Sequence, residues 1–148
     1  MYGYVKVGSA VPKLRVADCV YNKEEILKLV EAAAAKQVRV LSFPELSVTG
    51  YTCADLFFQA PLLHAAEQAL QEIAEATEAL NIFLLIGAPI AVDNQMFNCA
   101  VALYKGKLLG IVPKTHIPNY SEFYEERWFA SADDLLTEEI TYAGQNVP

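Results

Sequence analysis

The chain has 148 residues, 54% hydrophobic and 20% charged, which is enough apolar material for one packed domain and too much for a disordered chain. Its net charge of −7 is uneven, +3 over residues 1–44 and −10 over residues 45–148. No Lys/Arg cluster tracks a phosphate backbone or an anionic bilayer, so nucleic-acid and membrane-surface partners are disfavoured.

The first predicted element is a strand over residues 5–11, which alternates and stops at Pro12. A helix follows over residues 22–37, with Asn22 as N-cap and Glu25 at capping-box spacing. Its apolar stripe is Ile26, Leu29, Val30 and Ala33. Residues 38–43 form a short β-branched run ending at Pro44, and a helix leading directly into a buried strand indicates an α/β layer fold. Residues 44–60 read as a structured loop. Pro61 opens a second helix through about residue 80, a position where its missing N–H would be unpaired anyway. Residues 82–87 have no polar alternation, as in a strand buried on both faces. Residues 97–104 and 107–112 are two more strands, joined by a Lys105-Gly106 turn. Residues 113–129 are aromatic and charged without a period, and residues 130–148 form an acidic tail. The apolar run over residues 81–92 is too short for a membrane helix, and no leader-like start is seen.

Two charged residues end apolar runs. Glu45 directly follows the 38–43 strand, and ligands bind at that end of strands in α/β sheets. A carboxylate there suits a general base. It could equally pair with a buried cation or cap a turn. Lys114 follows the 107–112 strand, and a lysine among apolar groups needs a carboxylate partner. The two could converge on one pocket, or Lys114 could be a surface lysine. His116 has no His or Cys at metal-ligand spacing and reads as structural or as a pocket wall. Cys19, Cys53 and Cys99 are odd in number and widely spaced. They make neither a disulfide framework nor a metal site, and none sits where a thiolate would be favoured. A reducing cytoplasm fits them best.

Phe43-Pro44-Glu45-Leu46, Pro113-Lys114 and Glu122-Phe123-Tyr124-Glu125, in that order, resemble the motifs of the nitrilase (carbon–nitrogen hydrolase) superfamily. Within it, residues 45–57 and 118–125, with Tyr4-Val5-Lys6-Val7 and Val16-Ala17-Asp18-Cys19, are most similar to the glutaminase domains of the glutamine-dependent NAD synthetase family. The likeness runs from about residue 2 to residue 129. It implies a nitrilase-like α-β-β-α sandwich and a Glu–Lys–Cys triad. By motif position Glu45 is the general base, Lys114 stabilises the oxyanion, Glu125 orients the lysine, and Tyr51 and Tyr120 lie near the glutamine pocket. The implied reaction is hydrolysis of glutamine to glutamate and ammonia, with no cofactor in this domain. In the longer enzyme the ammonia passes to a synthetase domain that uses ATP and Mg to amidate deamido-NAD, and the assembly is a homo-oligomer.

The departure is at the nucleophile. The superfamily's cysteine lies on a later strand, and no cysteine follows Cys99 here. The resemblance therefore implies that residues 1–148 are the N-terminal part of a glutaminase domain, a sandwich cut after about its first half, inactive alone. A stand-alone amidase or carbamoylase of the same superfamily is one alternative, and a non-catalytic α/β binding or assembly module is another. No G-x-G-x-x-G follows a strand, which disfavours a Rossmann role.

Overall fold

The computed structural model describes residues 3–148. Its elements are β1 (Val7–Ser9), α1 (Cys19–Ala35), β2 (Val40–Ser42), α2 (Ala60–Ala76), β3 (Phe83–Val92), β4 (Gln95–Tyr104), β5 (Lys107–Pro113), β6 (Ile140–Tyr142) and β7 (Gln145–Val147). The main sheet has the order β1-β2-β3-β4-β5. β1, β2 and β3 run parallel, and β3, β4 and β5 form an antiparallel meander. A sheet with helices is the α/β architecture expected, and it supplies one sheet and one helical layer of an α-β-β-α sandwich.

Period-2 alternation on the long central strands decides where the core lies. Leu84, Ile86, Ala88 and Ile90 of β3 are buried, and they face Leu103, Val101, Cys99 and Phe97 of β4 in register. They join Ile26 and Val30 of α1 and Leu70 and Ile73 of α2 in one cluster. The opposite sheet face is more open, with Ala91, Ala100 and Val112 exposed. It also carries the chemistry described below.

α1 begins earlier than the capping-box pattern predicts. The cap is Asp18, whose Oδ1 accepts the Tyr21 N–H at 3.0 Å. Asn22 lies inside the helix, fully buried. Its Nδ2 donates to Arg15 O and Val48 O, each at 2.9 Å, and its Oδ1 accepts from Arg15 N at 2.8 Å. The residue that resembled a cap instead ties the incoming segment and the loop after β2 to the helix. α2 has Pro61 in its first turn, as expected, but stops at Ala76. There Thr77 Oγ1 donates back to Ile73 O at 2.8 Å, and Leu80 lies beyond the helix.

β3 and β4 are longer than their apolar runs. Their turn is Asp93-Asn94, both at positive φ (50° and 66°), the same two-residue form as Lys105-Gly106 (53° and 77°). Pro89 sits within β3 without breaking it. β2 ends at Ser42, opposite Leu85, so the outer side of β3 has no further strand to receive an N–H. The acidic tail contains a further hairpin, β6–β7, which packs beside β5. Ile111 N donates to Pro148 O at 2.8 Å, and Ala143 N donates to Glu67 Oε1 at 2.7 Å. Among the described residues no helix is long and apolar enough to cross a membrane.

Candidate active site

Glu45 occupies the turn that leaves β2. The chain crosses β3 so closely at this point that a methyl group on Gly87 would overlap the Leu46 nitrogen, the Pro44 oxygen and the Glu45 carbonyl carbon. Leu46 itself adopts φ 52°. The turn is then held by Val48 N donating to Gly87 O at 3.2 Å and Gly50 N donating to Leu46 O at 2.7 Å. A tightly determined turn of this kind presents the Glu45 side chain over the open face of the sheet.

Lys114 follows β5 directly. Its N–H donates to Asn98 O at 2.8 Å, which continues the β4–β5 ladder one step and fixes the lysine beside the Glu45 turn. Lys114 Nζ donates to Glu45 Oε1 at 3.1 Å and to Oε2 at 3.0 Å. It also donates to Glu125 Oε2 at 3.3 Å. Glu125 starts a short 3-10 turn, Glu125–Arg127, and is 4% exposed. Its Oε1 accepts from the Tyr51 hydroxyl, so both carboxylate oxygens are occupied.

Burial alone pulls the Lys114 ammonium down. The hydrogen bond and charge of Glu45, joined by those of Glu125, outweigh it and hold the group above the ordinary lysine range. Lys114 is thus a fixed positive charge at neutral pH and not an amine nucleophile. Burial, followed by the hydrogen bond to Glu125, pushes the Tyr51 phenol well above its usual range.

Glu45 and Tyr51, from the loop after β2, thus meet Lys114 and Glu125, from the segment after β5. Tyr120 is exposed and makes an edge contact with Phe123, ring centroids 5.8 Å apart. With Pro118 these two aromatics wall a cleft of about 430 Å³ whose floor is Glu45, Lys114 and Glu125. His116 is solvent-exposed and forms no wall of this cleft, contrary to the sequence expectation. Asn98, which donates from Nδ2 to Glu45 Oε2 at 2.9 Å, was missed from sequence. Its only signal is a polar residue inside an otherwise apolar strand.

All three cysteines are free and buried. Burial pushes the Cys99 thiol up to about 12. Burial, then the neighbouring Cys53, pushes Cys19 up to about 11. Burial also raises Cys53. At neutral pH none is a thiolate.

This fold, with a carboxylate from the turn after β2 and a lysine from the end of β5 meeting over the sheet, is that of a carbon–nitrogen hydrolase. Residues 6–145 match the carbon-nitrogen hydrolase family, and the chain belongs to it. It is 36% identical over 132 residues to the glutamine-dependent NAD(+) synthetase of Mycobacterium leprae, which covers 89% of this chain and 19% of that protein. It is 34% identical over 125 residues to the glutamine-dependent NAD(+) synthetase of Aquifex aeolicus, covering 84% of this chain and 22% of the relative. The chain thus spans about a fifth of the length of the curated relatives it matches. Among solved structures, a glutamine-dependent NAD(+) synthetase from Cytophaga hutchinsonii superposes with a TM-score of 0.89 at 28% identity, over 97% of this chain and 24% of the other. An amidase from Nesterenkonia shares the fold at a TM-score of 0.73 and 19% identity, over 96% of this chain and 53% of that one.

Proposed function

We propose that residues 1–148 are the amino-terminal part of a glutaminase domain, which hydrolyses glutamine to glutamate and ammonia. The ammonia serves ATP-dependent amidation of deamido-NAD by a synthetase domain. The observation that carries this reading is the Glu45–Lys114–Glu125 cluster on the floor of an aromatic-walled cleft. It stands in a chain whose named relatives are glutamine-dependent NAD(+) synthetases.

Glu45 takes the proton of a thiol nucleophile and passes it to the departing ammonia. Lys114 faces the substrate carbonyl oxygen as it becomes an oxyanion. Glu125 touches no reacting atom and orients the Lys114 ammonium, while the Tyr51 hydroxyl braces Glu125 from the far side. Tyr51 and Tyr120 border the glutamine. Cys19, Cys53 and Cys99 are poor candidates for the nucleophile because their thiols are buried and held protonated, so a cysteine beyond these residues supplies it. An amidase of this fold from Nesterenkonia has an active-site cysteine, which supports thiol chemistry on the scaffold. ATP and Mg act at the synthetase part, and a reducing cytoplasm suits three free thiols.

Two assays test the reading. The 148-residue chain alone should release no glutamate from glutamine above background. In a protein that carries this chain followed by the remaining domains, Glu45→Ala should abolish glutamine-driven synthesis and leave ammonium-driven synthesis intact. Lys114→Ala should lower glutamine-driven kcat on the order of 10²–10³-fold, the cost of one oxyanion donor. Tyr51→Phe should mainly raise the glutamine KM. Loss of both activities in Glu45→Ala, with the fold intact by circular dichroism, would make Glu45 structural. Loss of neither overturns the glutaminase reading.

A further inference from the structure

Asn98 lies in β4 between Phe97 and Cys99 and is only 3% exposed. A buried amide among apolar neighbours is costly unless it is hydrogen-bonded. Here it serves two partners. Its side-chain Nδ2 donates to Glu45 Oε2 at 2.9 Å, and its main-chain oxygen accepts the Lys114 N–H at 2.8 Å. One strand residue thereby grips both members of the ion pair. The Glu45 carboxylate can only accept, so the amide nitrogen is the end of Asn98 that must face it.

The two Glu45 oxygens are made unequal by this contact. Oε2 receives Asn98 Nδ2 and Lys114 Nζ, whereas Oε1 receives Lys114 Nζ alone. We infer that Asn98 is a positioning residue that fixes the rotation of the Glu45 carboxylate and selects Oε1 as the oxygen that takes up and returns the proton. The role rests on the glutamine-hydrolysing reading. As the sulfur–carbon bond to the substrate carbonyl forms, the S–H proton moves to Oε1. As the C–N bond breaks, that proton goes to the departing nitrogen, ammonia leaves, and the carboxylate is restored. Oε2 stays bound to a neutral donor that neither takes the proton nor changes charge during the cycle. Aspartate at this position would set a second carboxylate against Glu45, and leucine would fill similar space with no donor.

The contact is tested by NMR on the 15N-labelled chain and its Glu45→Gln and Glu45→Ala variants, all at one pH. The Asn98 side-chain amide signals should shift in both variants, and further in Glu45→Ala, which leaves Nδ2 without its carboxylate acceptor. Asn98 signals unmoved in both variants overturn the contact, and this arm needs no Asn98 variant to fold. The role is tested by glutamine hydrolysis in a protein that extends the chain through the rest of its hydrolase domain. Asn98→Leu and Asn98→Asp should lower kcat on the order of 10²-fold, the cost of misplacing a reacting group by about an ångström. The glutamine KM should stay within about twofold, because only transition-state stabilisation is lost. Unchanged kcat in both folded variants overturns the positioning role. A wild type that hydrolyses no glutamine, with Asn98 still tracking Glu45, overturns the reaction and the proton role of Oε1 while the contact stands.

Discussion

Glu45 owes its position to a residue with no side chain. The turn 44–46 lies directly on Gly87, and the atoms a Cβ would meet are backbone and cannot swing aside. Gly87→Ala should therefore force the turn off β3. The expected cost is about 3 kcal/mol in urea unfolding, the upper end for overpacking. The amide shifts of residues 44–48 should change most, and an unchanged stability with unchanged shifts would show that the turn yields freely. At this scale the sequence is legible where chemistry breaks a pattern. Glu45 and Lys114 stand out because each is a charge that ends an apolar run. Asn98 and Gly87 do not stand out. Their meaning comes from what crosses above them, and that neighbour is about 40 or more residues away in the chain. The apparent cap at Asn22 misled for the same reason, since its partners Arg15 and Val48 lie outside the helix.

Between elements, residues 113–129 carry Lys114 and Glu125 with little regular structure of their own. They are anchored by a tie that no periodicity could reveal. Arg127 Nε and Nη2 donate to the two oxygens of Asp55, each at 2.8 Å, and Trp128 Nε1 donates to Asp55 Oδ1 at 3.0 Å. Asp55 belongs to the 3-10 turn Ala54–Phe58, on the same stretch as Tyr51. The tie therefore fastens the Glu125 segment to the loop that follows Glu45. Hydrogen bonds from Arg127, then from Trp128, hold the Asp55 carboxyl well below its ordinary value of 3.8. A carboxylate with a depressed folded pKa adds stability above its unfolded pKa and loses it as pH falls through the folded one. Trp128 is the only tryptophan, so its fluorescence reports the tie directly. Emission should be constant from neutral pH down through 3.8 and change only in stronger acid. Asp55→Asn should show altered emission already at neutral pH. A wild-type emission step centred near 3.8 would mean that Asp55 is untied in solution.

For the molecule as a whole, the sequence shows the layers better than their extent. The two helices and the main-sheet strands were readable from periodicity and from short apolar runs. The Asp93-Asn94 turn and the β6–β7 hairpin were not, because the first follows a proline-containing run and the second lies in an acidic, weakly apolar tail. What the assembled structure adds is asymmetry. The helices and the C-terminal hairpin pack on one face of the main sheet, and the site lies over the other. Stability should follow that division. Ile86 is fully buried on the helix side, so Ile86→Ala should cost about 3 kcal/mol or more through lost transfer energy and the cavity left behind. Val112 on β5 is 63% exposed on the open face. Val112→Thr keeps the β-branch that suits a strand and should change stability by about 0.5 kcal/mol or less. Both are measured by denaturant unfolding at several protein concentrations. If Val112→Thr destabilised as strongly as Ile86→Ala, with a midpoint that rose with concentration, a second copy would be covering the open face in solution. The cleft above Glu45 and Lys114 would then be closed by that copy, and the packing would be two-sided for the protein in solution.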